Sequence, residues 1–221
     1  MAGVQAMVIT LGGMLLYSGV AVVLVGISGV STYEGFSGFP DAFSQIANGT
    51  IVGIPNAVLF FGLGFLITYI LLHHTRYGRY IYLTGINQHA AEYSGINTKK
   101  IIASTYLLSG LSAGLAGVLL TSYLGSARSD YGAEYLMPIL TVVVLGGTLI
   151  TGGKGGVVGT ALASIILGFM QIGLQMAGFS TQYIGLATGV LLIVSVAFLG
   201  INQDFRFSAK RIFTQKHNTG G

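Results

Sequence analysis

Apolar residues in this chain form long, nearly unbroken runs, and the polar residues gather in short breaks between them. Six runs stand out, at about 4–29, 53–72, 101–124, 136–151, 157–178 and 181–200. A helix that crosses a bilayer needs about 17–25 mostly apolar residues, and each run reaches that length except 136–151. The pattern predicts an all-α integral membrane protein, a polytopic helical bundle of about six transmembrane helices with one short or broken. Residues 1–203 read as one transmembrane domain and 204–221 as a polar tail. A broken, glycine-bounded piece such as 136–151 is tolerated at membrane depth only where protein or a cavity surrounds it.

The charges sharpen this picture. All six acidic residues, Glu34, Asp41, Glu92, Asp130, Glu134 and Asp204, fall in the breaks. An ionisable group inside lipid is costly and is kept where transport chemistry needs it. The runs hold no carboxylate to relay a proton or bind a coupling cation, so energy for pumping is expected from a partner. Arg76 and Arg79 follow the second run, and Lys99 and Lys100 precede the third. Arg206, Lys210, Arg211 and Lys216 follow the last. The positive-inside rule places the 73–100 loop and the C-terminal tail in the cytoplasm. The 30–52 loop, with Glu34 and Asp41 and no Lys or Arg, belongs outside, as does 125–135. Three crossings between residue 124 and the tail then put Lys154 on the cytoplasmic side.

Residues 1–33 carry no Lys, Arg, Asp or Glu, so no basic segment marks a secretory signal and no flanking charge orients the first run. Leu11-Gly12-Gly13-Met14-Leu15 with Gly19 echoes Leu145-Gly146-Gly147-Thr148-Leu149 with Gly153. Three runs lie between the copies, so they would point in opposite directions, as inverted transporter repeats do. The alternative is chance similarity between glycine- and leucine-rich helices. A true echo would make this an N-terminally shortened chain.

Composition agrees with a membrane solvent: 7% of residues are charged and 52% hydrophobic, with a mean hydropathy of +0.78. A soluble domain carries about a quarter charged residues. There is no Cys, which excludes thiol catalysis, iron–sulfur clusters, thiolate zinc sites and disulfides. His73 and His74 are adjacent and share no helix face, while His89 and His217 lack a ligand-spaced partner, so no metal site is expected. The net charge of +4 sits in the loops and tail and marks orientation in membrane lipid, not a nucleic-acid partner. Among 35 glycines, Gly110, Gly114 and Gly117, and Gly185 with Gly189, form small-residue faces suited to close helix packing, either within the bundle or between subunits. Thr151 to Gly156 superficially suggests a phosphate loop, but Gly155 stands where Ser or Thr must meet magnesium. A turn between helices is the simpler reading. Asn48-Gly49-Thr50 is formally a glycosylation sequon, common by chance and given no function.

The 73–100 loop carries the most chemistry. Asn87 is suited to start a helix and Gly95 to end one. Gln88 to Ser94 would make about two turns, with Ala90, Ala91 and Ser94 on a small-residue face. Such a helix could lie at the membrane interface, fit a groove on another protein, or be a solvated connector.

Gly85 to Ile96 resembles the ATPase-contacting loop of bacterial ABC-importer permeases of the ribose/branched-chain-amino-acid type. Leu107 to Gly117, Val144 to Thr148 and the pair Gly152-Gly153 resemble the same family. Ser122 to Asp130, Leu136-Met137-Pro138, Tyr33 to Gly35, Gly38 to Pro40 and Gly173 to Gly178 are most similar to its autoinducer-2-importing branch. Ribose- and rhamnose-type permeases are the alternatives. The resemblance implies a bacterial inner-membrane permease subunit for a small hydroxylated solute, with no cofactor of its own and not itself an enzyme. ATP and magnesium would sit on ATPase subunits. It also implies a second permease subunit, giving a heterodimer, and a periplasmic solute-binding protein. Asn87, Ala90, Ala91, Glu92, Ser94 and Gly95 would then form the ATPase-coupling helix. Gln171 and Gln175, i,i+4 on one face, and Tyr17 are candidates for the translocation path. Arg128 and Asp130 are candidates for contact with the binding protein. The rival readings are an ion-driven secondary transporter fragment and a passive facilitator.

Overall fold

The computed structural model describes residues 6–27, 29, 35–149 and 152–197. The expected tail at 204–221, with its four basic residues, and Glu34 lie outside the described residues. The fold is all-α. Its helices are α1 (Ala6–Ile27), α2 (Asp41–Asn48), α3 (Asn56–His74), α4 (Arg76–Ile86), α5 (Gln88–Tyr93), α6 (Thr98–Leu124), α7 (Tyr131–Glu134), α8 (Leu136–Leu145) and α9 (Val157–Met176), followed by α10 (Thr181–Ala197). Two antiparallel strand pairs complete it: β1 (Phe36–Ser37) with β4 (Ser126–Ala127), and β2 (Thr50–Ile51) with β3 (Ile54–Pro55).

Among the described residues, four helices are long and apolar enough to cross a membrane: Val8–Ile27, Asn56–His74, Thr98–Leu124 and Val157–Met176. They are apolar on all sides. Leu15, Leu107, Leu111 and Phe169 are all more than 60% exposed, a surface that only lipid or further helices can cover. Of the two shorter apolar helices, α10 has 17 residues. The other, Tyr131–Leu145, runs through α7 and α8 and ends early. Gly146 and Gly147 stop α8 after ten residues, with Gly147 at φ 82° and its N–H bonded to Val144 O at 2.9 Å. The Thr148 N–H closes the cap on Val143 O at 3.1 Å. Ten residues rise about 15 Å, half of a hydrocarbon core of about 30 Å. The expected span 136–151 is thus a half-length helix followed by a turn.

The same letters read differently at the two ends of the supposed repeat. Leu11 to Leu15 lies within continuous α1, whereas Leu145 to Leu149 is a helix end and turn. The two segments do not share a conformation.

The chain divides into two compact units, residues 1–64 with 106–135 and residues 65–105 with 136–221. In the first unit, α2 is fastened to the end of α6. Ser122, fully buried, accepts a hydrogen bond from Ala47 N–H at 3.0 Å and donates one to Phe43 O at 2.7 Å. Asn48 Nδ2 donates to Ser122 O and Tyr123 O, each at 3.2 Å. The amide of the formal sequon therefore serves as a structural clamp.

In the second unit, Thr75 caps α4 by accepting from Gly78 N–H at 3.2 Å, and Tyr77 Oη meets Ser104 Oγ of α6 at 2.7 Å. The α8–α9 hairpin closes on glycine. A side chain at Gly159 would lie 2.2 Å from Gly146 O, and one at Gly146 would lie 2.5 Å from Thr160 Cα. Gly110, Gly114, Gly117, Gly185 and Gly189, on faces suited to packing within the bundle or between subunits, have no neighbour from this chain within 4 Å of where a Cβ would stand. Gly110 and Gly114 border an open apolar groove of about 440 Å³ with Ile46, Phe60, Leu111 and Val118.

Candidate functional site

The helix expected after Asn87 is α5. Asn87 holds an extended conformation (φ −157°, ψ 106°), and its Oδ1 accepts from Ala90 N–H at 3.0 Å. This satisfies a backbone donor that a helix start leaves unpaired. Gly95, at φ 80°, closes the other end. Its N–H bonds to Glu92 O at 2.9 Å and the Ile96 N–H to Ala91 O at 3.1 Å. A residue with a Cβ would resist that left-handed turn. Six residues cannot hold a helix by propensity alone, so the two caps define this one.

The small-residue face is only partly as expected. Ala91 is buried at 4% exposure, whereas Ala90 and Ser94 are exposed. The Ser94 hydroxyl donates back to Ala90 O at 2.9 Å. Ala91 therefore points inward, and the outward surface is made by Gln88, His89, Ala90, Glu92 and Tyr93. Tyr93, 94% exposed, was not singled out from the sequence. Its signal was an aromatic residue in an otherwise polar, two-turn helix.

Glu92 links α5 to the next helix. Its carboxylate accepts from Thr98 Oγ1 and, at 3.3 Å, from Gln88 Nε2. Thr98 is 1% exposed. The Thr98 hydrogen bond, helped by Gln88 and by the positive charge of Lys99, holds the Glu92 carboxyl below the ordinary Glu value. Asn97 Oδ1 accepts from Lys100 N–H at 3.2 Å, fixing the entry into α6. The sequence reading missed Thr98, the first residue of α6, which lies before the third apolar run.

The remaining candidates do not converge on this site. Tyr17 lies midway along α1 and is 76% exposed. Gln171 is half-buried and Gln175 exposed on the last turns of α9. Arg128 and Asp130 pair with each other. Arg128 Nε donates to Oδ1 at 3.0 Å and Nη2 to Oδ2 at 2.5 Å, and the guanidinium stacks 5.3 Å from the Tyr131 ring centroid. The Arg128 hydrogen bonds hold the Asp130 carboxyl below its ordinary value, and Asp130 raises Arg128. The pair shapes its own loop.

Long apolar helices joined by a capped, polar helical loop define a multi-pass membrane permease. The profile of the family described as "Branched-chain amino acid transport system / permease component" matches residues 1–196, and the chain belongs to that family. It is similar to the autoinducer 2 import system permease protein LsrD of Yersinia enterocolitica, 46% identical over 194 residues, covering 88% of this chain and 59% of the relative. The same protein of Salmonella typhimurium is 46% identical over 194 residues, covering 88% and 58%. That of Yersinia pseudotuberculosis is 44% identical over the same length. The chain thus spans just under three fifths of the length of the curated relatives it matches. No solved structure matches it.

Proposed function

We propose that this chain is a transmembrane subunit of an ATP-binding cassette importer in the bacterial inner membrane, and that its solute is autoinducer-2. The observation that carries this reading is 46% identity to LsrD permeases across 88% of the chain. The solute is small and polar, and the driving force is ATP hydrolysis on partner ATPase subunits. A second permease subunit and a periplasmic binding protein complete the assembly. In this reading α5 is the coupling helix. Its doubly capped frame supports the role, because a lever must keep its shape while it is pushed.

The sidedness belongs to the same proposal. Charge bias assigns 30–52 and 125–135 to the outside, and the β1–β4 pairing, Phe36 with Ala127 and Ser37 with Ser126, joins those two segments. Charge bias assigns 73–100 to the cytoplasm, the count of crossings puts Lys154 there too, and Tyr82 Oη donates to Gly155 O at 2.9 Å, joining those two segments. The tail after residue 203 would also be cytoplasmic. Gln171, Gln175 and Tyr17 are proposed to face the solute's route. Arg128 and Asp130 are proposed to meet the binding protein as a preformed pair.

Uptake by vesicles carrying the reconstituted importer tests the proposal. Accumulation of autoinducer-2 should require internal ATP, the ATPase and the binding protein. Glu92→Arg and Gly95→Pro should abolish it while the chain still inserts. Accumulation driven by an ion gradient without the ATPase would refute the ATP-driven reading. Normal uptake by both variants would remove the coupling role from α5.

A further inference from the structure

The turn between α8 and α9 is seated on the residues that lead into α5. Tyr82, on α4, donates its hydroxyl to Gly155 O at 2.9 Å. One turn on, Gly85 meets Gly153 backbone to backbone: a Cβ at Gly85 would lie 2.7 Å from Gly153 N. From the other side, a Cβ at Gly153 would lie 2.9 Å from Ile86 Cγ1 and 3.0 Å from Ile86 Cα. Ile86 is followed directly by Asn87, the cap of α5.

The described residues of the turn are tied to one another. Leu149 N–H bonds to Lys154 O and Gly152 N–H to Leu149 O, both at 3.0 Å. A Cβ at Gly155 would lie 2.8 Å from Thr148 Cγ2, and Thr148 Oγ1 meets Thr160 Oγ1 of α9 at 3.4 Å. Beyond it, Gly146 and Gly159 bring α8 and α9 into backbone contact. An uninterrupted set of van der Waals and hydrogen-bonded contacts therefore runs from the start of α5 to two apolar helices. None of its steps depends on a long, flexible side chain. Packed backbone transmits displacement because it has little room to absorb it.

We infer that Tyr82, Gly85 and Gly153 are positioning residues that pass the movement of α5 to the α8–α9 hairpin. This rests on the proposed coupling role of α5, yet it concerns a separate step: α5 receives the push, and the glycine contact delivers it. Gly85 sits in a regular helix, so Gly85→Ala adds one methyl group that forces the turn away without straining α4. Tyr82→Phe removes only the hydroxyl.

The test uses the assembled importer in vesicles and reads three quantities: ATPase-subunit binding, ATP hydrolysis, and solute taken up per ATP hydrolysed. Both variants should bind the ATPase subunit within about twofold of the parent and continue to hydrolyse ATP. Uptake per ATP should fall about two- to tenfold for Tyr82→Phe, the range one hydrogen bond supports, and further for Gly85→Ala. A purely structural role would lower binding, hydrolysis and uptake together. Unchanged uptake per ATP in both variants overturns the inference, as does a loss explained entirely by weaker ATPase binding. Glu92→Arg separates the two ideas: it should lose ATPase binding itself. If it keeps both binding and uptake, the coupling role of α5 fails, whatever the glycine variants do.

Discussion

Ser122 shows how much one hydroxyl does where water is absent. Phe43 O and Ala47 N–H are four residues apart, the partners of an ordinary helical bond, and the Ser122 hydroxyl bridges them from α6. It is donor and acceptor at once, which no aliphatic side chain can be. Ser122→Ala would leave these two groups only each other and remove both hydroxyl bonds between α6 and α2, at about 0.5–1.5 kcal/mol per bond, expected as a lower unfolding midpoint in detergent. An unchanged midpoint would mean that Asn48 holds α2 without it. Glu92 makes a second prediction. Its folded titration lies below the ordinary Glu value of about 4.3. The Thr98 bond thus adds stability above that value and loses it as pH falls through the lowered one. Amide exchange at the α5–α6 corner should be insensitive to that titration at neutral pH and accelerate in acid, and Glu92→Gln should remove the acid step. The Asn87 and Gly95 caps were legible because each acts on its own neighbours. Thr98 and Ser122 were not, because their partners come from other elements.

Among elements, the long helices were evident from apolar length alone, with ends within about three residues of those expected. The short ones were not. α4 was absorbed into a polar loop although Thr75 is suited to cap it, and α2 was hidden by its length of eight residues. The expected span at 136–151 failed because apolar letters continue through Leu149 after Gly146 and Gly147 have ended the helix. Hydropathy counts side chains and is blind to a backbone cap. Glycine spacing does not say which partner a face meets. Gly110 and Gly114 border an open groove, while Gly146 and Gly159 bring two helices into contact. That crossing predicts a result. Cysteines at Thr148 and Thr160, introduced into a chain that has none of its own, should form a disulfide. Adding Gly159→Leu should prevent it. Cross-linking that survives Gly159→Leu would show that the hairpin closes without this contact.

At the scale of the molecule, the bilayer is the solvent that makes these exposed apolar helices stable. α6 is the longest of them, with 27 residues. From Ile101 to Leu124 its apolar stretch rises about 36 Å, against a hydrocarbon thickness of about 30 Å. Lys99 and Lys100 mark its beginning and cannot sink into lipid without cost. The excess must be taken up by leaning or by thickening the surrounding membrane. Acyl-chain length therefore becomes a control on this protein. Reconstituted in short-chain phosphatidylcholine the helix has to lean more steeply, and in longer-chain lipid it stands more upright. Transport rate should follow that series with an optimum on the thicker side, and a flat response would mean that neighbouring helices, not the lipid, set its slope.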